Sequence, residues 1–126
     1  MFQLAFWLVA FHALCDFAIQ PDAMVRGKNR HHAVNLPARK LHEPNWVQWL
    51  GAHCMVHGGG VAAALAICGR ADLWWLGLVE AACHGVIDYL KCDRRITMGQ
   101  DQALHLACKA VWLAWAMWTA PGLPVL

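Results

Sequence analysis

The chain has 126 residues, of which 60% are hydrophobic and 14% are charged, and its net charge at neutral pH is +2. Soluble domains carry about 25% charged residues, and disordered chains are poor in apolar side chains, so the composition excludes disorder and favours an integral membrane protein. The length supports one domain, residues 1–126. The charge is too small to indicate a nucleic-acid partner, and we expect none.

Four apolar segments are close in length to the roughly 20 residues that a helix needs to cross a bilayer. They cover residues 2–20, 46–68, 72–92 and 101–119. The first lacks a basic start and a small-residue cleavage site, so we expect a retained helix and not a signal peptide. Thr97 and Gln100 form a candidate capping box that starts the last helix a turn earlier. The predicted fold class is all-α, a polytopic bundle of four transmembrane helices.

A soluble four-helix bundle is the main alternative, but the second and fourth segments lack the polar face that it requires. The six cysteines form no CxxC pair and lie mainly in apolar runs, so we interpret them as small buried hydrophobic residues and not as disulfides.

Basic residues indicate the orientation of these helices. They concentrate in the first connection, residues 21–45, and at the end of the third segment, whereas Arg70 alone marks the second connection. The positive-inside tendency places the first and third connections in the cytoplasm and both termini on the other side of the membrane. We expect the basic stretch of residues 26–40 to attract anionic lipid headgroups. His31, His32 and His42 in this connection are predicted to be solvated.

Each segment also carries polar residues spaced four apart, which share one helix face. The candidate metal ligands are His12, Asp16, His53, His57, His84, Asp88 and His105. At 1.5 Å per residue, they lie about 6–16 Å from the predicted cytoplasmic ends, in one layer. Facing helices of a bundle can assemble such residues into a site for one divalent metal ion or for two. Imidazole and carboxylate ligands favour zinc, with manganese or iron as alternatives.

Other polar residues near this layer have several interpretations. Asp101 and Glu80 are candidate catalytic groups, although Asp101 also fits a helix N-cap and Glu80 also fits a protonated core residue or a hydrogen-bond partner of His84. Gln20, Gln102 and Lys91 are candidates for supporting the ligands through hydrogen bonds, and Lys91 also fits a side chain that extends to the membrane interface. Lys109 lies deeper and requires a partner.

The motifs in chain order are His12-x-x-x-Asp16-Phe17-x-x-Gln20, Met24 with Lys28, His53-x-x-x-His57, His84-x-x-Ile87-Asp88-x-x-Lys91 and Asp101-Gln102-x-x-His105. This order resembles a family of small four-helix bacterial and phage membrane proteins of unknown function, over nearly the whole chain. More loosely, it is similar to the inner-membrane metal-dependent hydrolases. The resemblance implies a multi-pass protein of the bacterial inner (cytoplasmic) membrane. Glu80 is not part of the family pattern.

The predicted function is a membrane-embedded metal-dependent hydrolase that acts on a lipid or lipid-linked ester or phosphoester near the cytoplasmic face. A proton or metal-ion relay is the first alternative, because chains of Asp, Glu and His mark ion pathways. A non-enzymatic protein whose polar cluster is structural is the second. Haem ligation is disfavoured because an aspartate lies one turn from His12 and from His84. The sequence leaves the oligomeric state open.

Overall fold

The computed structural model describes residues 2–32 and 44–120, and all regular structure within these ranges is helical. The helices are α1 (Phe2–Ala13), which continues as a π-helical turn (Leu14–Ala18), α2 (Asp22–Gly27), α3 (Trp46–Ile67), α4 (Leu76–Cys92), which follows a 3₁₀ turn (Ala71–Leu73), and α5 (Met98–Trp118). The all-α class is therefore confirmed.

Two helix boundaries differ by more than one residue from the predicted ones, and the early start of α5 agrees with its predicted capping box. The first helix ends at Ala18 and not at residue 20. The reason is Pro21, since a proline restricts the residue before it to extended backbone. The third segment is α-helical only from Leu76. α5 begins at Met98 because the predicted capping box forms: Gln100 N donates to Thr97 Oγ1 over 3.2 Å, and Thr97 N donates to Gln100 Oε1 over 2.9 Å. Asp101 is therefore not the N-cap.

The four long helices form a closed bundle in which α1 and α4 each contact α3 and α5. Neighbouring helices run in opposite directions. This follows from the contacts between them, which join the later part of one helix to an earlier part of its neighbour. α3 and α4 pack closest at Gly58 and Gly77, where a Cβ atom on either residue would overlap the carbonyl oxygen of the other. Small residues of this kind let two helix backbones approach directly.

The interior of the bundle has two halves. The apolar half lies between the start of α1 and the ends of α3 and α5, and its buried residues include Leu4, Leu8, Val61, Leu65, Leu76 and Trp112. The polar half holds His12, His53, His57, Glu80, His84, Asp88, Asp101, His105 and Lys109, each at most 4% exposed. Many large apolar side chains, by contrast, face outward along the helices.

Among the described residues, α3 is the one helix that is both long and apolar enough to cross a membrane. The apolar stretch Phe2–Ala18 is shorter. α4 and α5 carry Glu80, Asp88, Asp101 and Lys109, and these charged residues lower their mean hydropathy. The four-span architecture therefore stays a prediction. All six cysteines are free, as expected from their spacing.

Candidate metal centre

Four side chains from three parts of the chain converge in the polar half. Asp16 comes from the π-helical turn, His53 and His57 come from successive turns of α3, and His84 comes from α4. Asp16 Oδ1 lies 3.1 Å from His57 Nε2 and 3.4 Å from His53 Nε2. His53 Nε2 lies 3.1 Å from His84 Nε2. One ligand atom from each of these residues lies within 4.8 Å of all the others, and we call this set the four-residue group.

Three of the six separations in the group are close to those of a tetrahedral metal site. Zinc bonds of about 2.0–2.1 Å place neighbouring ligand atoms about 3.3–3.4 Å apart. The measured contacts of His53 with Asp16 and His84, at 3.4 and 3.1 Å, are of this size. The imidazole rings of His57 and His84 are stacked with 3.6 Å between their centroids. Two histidines bound to one tetrahedral ion hold their ring centroids about 5 Å apart, so one of these rings has to turn before both bind the same ion.

Asp16 reaches this group from a π-helical turn. A π turn inserts one residue per turn relative to an α-helix, which changes the direction of the side chains that follow, and such turns occur frequently at functional sites. The turn spans Leu14–Ala18, and Asp16 is its central residue. The sequence spacing alone predicted a regular helix here.

His12 lies beside the four-residue group rather than within it. Its Nε2 is 3.2 Å from Gln102 Oε1 and 3.6 Å from Asp16 Oδ2. Gln102 Nε2 donates to Asp16 Oδ2 over 3.0 Å. His12 and Gln102 thus hold the carboxylate whose other oxygen faces His53 and His57.

Asp88 and His105 border the four-residue group near the end of α4 and the start of α5. This is the end of the bundle that the sequence analysis predicts to face the cytoplasm. Asp88 Oδ2 lies 3.3 Å from His53 Nε2, and Asp88 Oδ1 lies 3.9 Å from His105 Nε2. Asp101, on the first turn of α5, lies 3.6 Å from His105 and accepts a hydrogen bond from Lys91 Nζ over 3.1 Å. Lys91 therefore points to this cluster as well, rather than only to the membrane interface.

Gln20 also contacts the group. Its amide lies 3.3 Å from His53 Nδ1. With the amide oxygen turned toward His53, that oxygen also accepts from Lys28 Nζ over 2.7 Å, and the amide nitrogen donates to the backbone oxygen of Asp16. Gln20 thus fixes the ring of His53 through the nitrogen opposite Nε2, as supporting residues of metal sites do.

Glu80 lies behind His84, away from the four-residue group. One of its oxygens is 3.6 Å from His84 Nδ1, while His84 Nε2 faces His53. Glu80 also accepts hydrogen bonds from Lys109 Nζ and, over 2.6 Å, from Trp112 Nε1. This contact supplies the partner that Lys109 requires. The geometry fits a group that orients His84 and does not fit a base that acts at Nε2.

Sequence reasoning missed the role of Lys28. It assigned this lysine to a headgroup-binding connection, but the side chain is 5% exposed and donates to Asp88 Oδ2 over 2.6 Å. The short helix α2, which was not predicted, ends beside Lys28 and turns it into the bundle. The one available signal was that Lys28 belongs to the motif order of the resembling family.

The rest of the basic connection is also partly engaged. Arg30 donates to both oxygens of Asp93, over 2.9 and 2.8 Å. His31, which we predicted to be solvated, is 59% exposed but lies 3.0 Å from the same carboxylate. The hydrogen bonds from His31 and Arg30 hold the pKa of Asp93 below its usual range. Arg39, Lys40 and His42 lie outside the described residues.

The charges of the polar half do not balance when the histidines are neutral. Four carboxylates oppose three ammonium groups: Asp16, Glu80, Asp88 and Asp101 against Lys28, Lys91 and Lys109. Uncompensated charge is costly in a buried environment. One added positive charge neutralises the cluster, and either a protonated histidine or a divalent cation that carries one hydroxide supplies it.

A family model described as "Protein of unknown function (DUF3307)" matches residues 4–124. No curated protein and no solved structure matches the chain significantly.

Proposed function

We propose that this chain, which belongs to the DUF3307 family of proteins of unknown function, is a membrane-embedded metal-dependent hydrolase of lipid or lipid-linked phosphoesters. The observation that carries the proposal is the convergence of Asp16, His53, His57 and His84 inside the bundle, with ligand atoms all within 4.8 Å of one another and three pairs at 3.1–3.4 Å. Zinc fits this set best, and manganese or iron are alternatives.

The distribution of polarity supports four membrane spans. Buried positions hold charged residues and histidines, whereas residues such as Phe6, Phe17, Met55, Val86 and Val111 are 55–67% exposed. Only 39% of the most apolar window of α3 is buried within the bundle. A soluble bundle would place water against this apolar exterior, whereas lipid chains cover it without cost. We infer that α1, α3, α4 and α5 cross the bacterial inner membrane.

The number of candidate ligands favours catalysis over a structural role. Besides the four-residue group, Asp88, Asp101 and His105 offer ligand atoms close to one another, and a closed structural zinc site needs only four. A divalent metal held here would lower the pKa of its bound water to about 7 and so supply a nucleophile. In hydrolysis, the water oxygen forms a bond to phosphorus, the bond from phosphorus to the lipid alcohol breaks, and the alcohol takes up the proton.

A relay across the membrane has less support. The buried polar residues extend from His84 to Glu80, Lys109 and Trp112. Beyond Trp112 the interior is the apolar half, where no buried ionisable side chain of the described residues continues the path. The arrangement therefore favours a site that is reached from one face.

Membrane placement is tested by labelling single cysteines from either side of the membrane. In a background without the six native cysteines, Asp22→Cys and Asp72→Cys place thiols at opposite ends of the bundle, where the native side chains are 88% and 62% exposed. We expect an impermeant thiol reagent to label position 22 only in inside-out vesicles and position 72 only in right-side-out vesicles. Labelling of both positions from one side would contradict the four-span proposal.

The hydrolase is tested with the detergent-purified wild-type chain. We expect at least one bound divalent metal per chain by elemental analysis, and phosphate release from lipid phosphates or cleavage of lipid phosphodiesters that a chelator abolishes and added Zn²⁺ or Mn²⁺ restores. The control is His31→Ala, which removes a histidine outside the cluster and should change neither property. Metal-free protein after purification without chelator would refute the metal site, and metal without turnover of any lipid ester would refute the enzymatic role.

A further inference from the structure

The two oxygens of Asp88 face two different sets of candidate metal ligands. Asp88 Oδ2 is directed to the four-residue group, at 3.3 Å from His53 Nε2 and 3.8 Å from His84 Nε2, and it also accepts a hydrogen bond from Lys28 Nζ over 2.6 Å. Asp88 Oδ1 is directed the other way, at 3.9 Å from His105 Nε2 and 3.8 Å from Lys91 Nζ. A carboxylate placed in this way can bind one cation with each oxygen once the Lys28 ammonium group has moved away from Oδ2.

Beyond Asp88 Oδ1 lies a second set of donors. Asp88, Asp101 and His105 each offer a ligand atom within 4.8 Å of the other two, and all three side chains are at most 1% exposed. His105 Nε2 lies 3.6 Å from Asp101 Oδ1 and 3.9 Å from Asp88 Oδ1. Both distances are too long for a hydrogen bond. Two atoms bound to one ion at about 2.0–2.2 Å lie at most about 4.4 Å apart, a limit that both contacts of His105 meet. Asp88 and Asp101 offer ligand atoms within 4.8 Å of each other, so a small closing of that pair lets one cation contact all three residues.

Unpartnered atoms provide the independent observation. Within the described part of the chain, both ring nitrogens of His105 and Oδ1 of Asp101 have no hydrogen-bond partner, although both residues are fully buried. Buried polar atoms are almost always paired, and an unpaired one is costly. His105 Nε2 and Asp101 Oδ1 face each other, as two ligands of a common ion would.

We propose that Asp88, Asp101 and His105 bind a second divalent cation, and that Asp88 bridges it to the ion held by the four-residue group. This inference rests on the proposed function and extends it to the kind of phosphoester. Two divalent cations and one hydroxide leave the polar half with two net positive charges, which the dianion of a phosphomonoester balances and a neutral carboxylic ester does not. Paired metal ions of this kind stabilise both the attacking and the leaving oxygen of a phosphoester.

The reaction requires no further reagent. For a phosphomonoester, the oxygen of one water forms the new bond to phosphorus, the bond between phosphorus and the lipid oxygen breaks, and the lipid alcohol leaves with a proton from that water. Inorganic phosphate is the second product, so the two-cation site should bind phosphate as an inhibitor.

The test counts metal ions in the full chain after loading with Zn²⁺ and removal of the excess. We expect two equivalents in the wild type, one in Asp101→Asn and one in His105→Gln. The matched control is Asp93→Asn, which changes an acid at the end of α4 that pairs with Arg30 outside the cluster and should leave two equivalents. Two equivalents in both site variants, or one in the wild type, would overturn the second site.

A spectroscopic measurement on the wild type tests the second site even if a variant folds poorly. After loading with Mn²⁺, we expect the wild type to give the exchange-coupled electron paramagnetic resonance signal of two bridged ions, and Asp101→Asn to give the signal of an isolated ion. An isolated-ion signal from the wild type would overturn the bridge. The two proposals fail differently: a wild type without metal refutes the metal site altogether, whereas one equivalent that Asp101→Asn retains refutes only the second ion.

Discussion

Replacing His53 by alanine is expected to reduce the affinity of the chain for Zn²⁺ by more than about 100-fold, beyond the 10–100-fold typical of residues that only support ligands. His53 holds a central position in the cluster, because its Nε2 lies within 3.4 Å of ligand atoms on Asp16, His84 and Asp88. Competition with a chromophoric zinc chelator measures the loss, and hydrolysis should fall in parallel.

Two comparisons make this result specific. His12→Ala removes a histidine that contacts Asp16 but stands outside the four-residue group, so we expect a smaller loss of about 10–100-fold. His31→Ala should bind zinc like the wild type, since His31 contacts Asp93 just beyond the C-terminus of α4, outside the four-residue group. An unchanged zinc affinity in His53→Ala, with the helical content preserved by circular dichroism, would contradict the assignment.

Periodicity predicted much of the candidate site because its residues lie on regular helices. His53 and His57, and likewise His84 and Asp88, are four apart in sequence, and α3 and α4 keep that spacing on one face. The Thr97 capping box was equally local and formed as predicted. What spacing could not decide is which of the seven candidate ligands share one ion, because that depends on how far each helix is rotated about its axis.

The features that sequence reasoning missed depend on long-range contacts. Lys28 lies in a polar connection and has no periodic signal, yet its ammonium group is paired with Asp88, 60 residues away. Asp16 lies in a π-helical turn, and no residue in this stretch of sequence predicts such a turn. Glu80 was a candidate base by its depth alone, and only the placement of Lys109 and Trp112 on α5 reveals that it faces away from the four-residue group.

Replacing Lys109 by methionine is expected to destabilise the chain by about 3–5 kcal/mol, the typical cost of breaking a buried ion pair. Glu80 and Lys109 are at most 4% exposed and contact each other directly, so the substitution leaves a buried carboxylate without its counter-charge. The double variant Glu80→Gln with Lys109→Met removes both charges and should recover most of the loss. Unfolding in mixed micelles with increasing SDS measures the stability of each variant.

A surface ion pair provides the matched control for this prediction. Arg26 and Asp22 are 3.8 Å apart on α2, and their side chains are 53% and 88% exposed. Arg26→Met should therefore cost at most about 1 kcal/mol. If Lys109→Met costs no more than Arg26→Met, Glu80 is protonated in the native chain and needs no counter-charge. The neutral carboxyl group would then donate its proton to His84 Nδ1. The charge balance that favours a cation in the polar half would have to count this proton, which removes one negative charge.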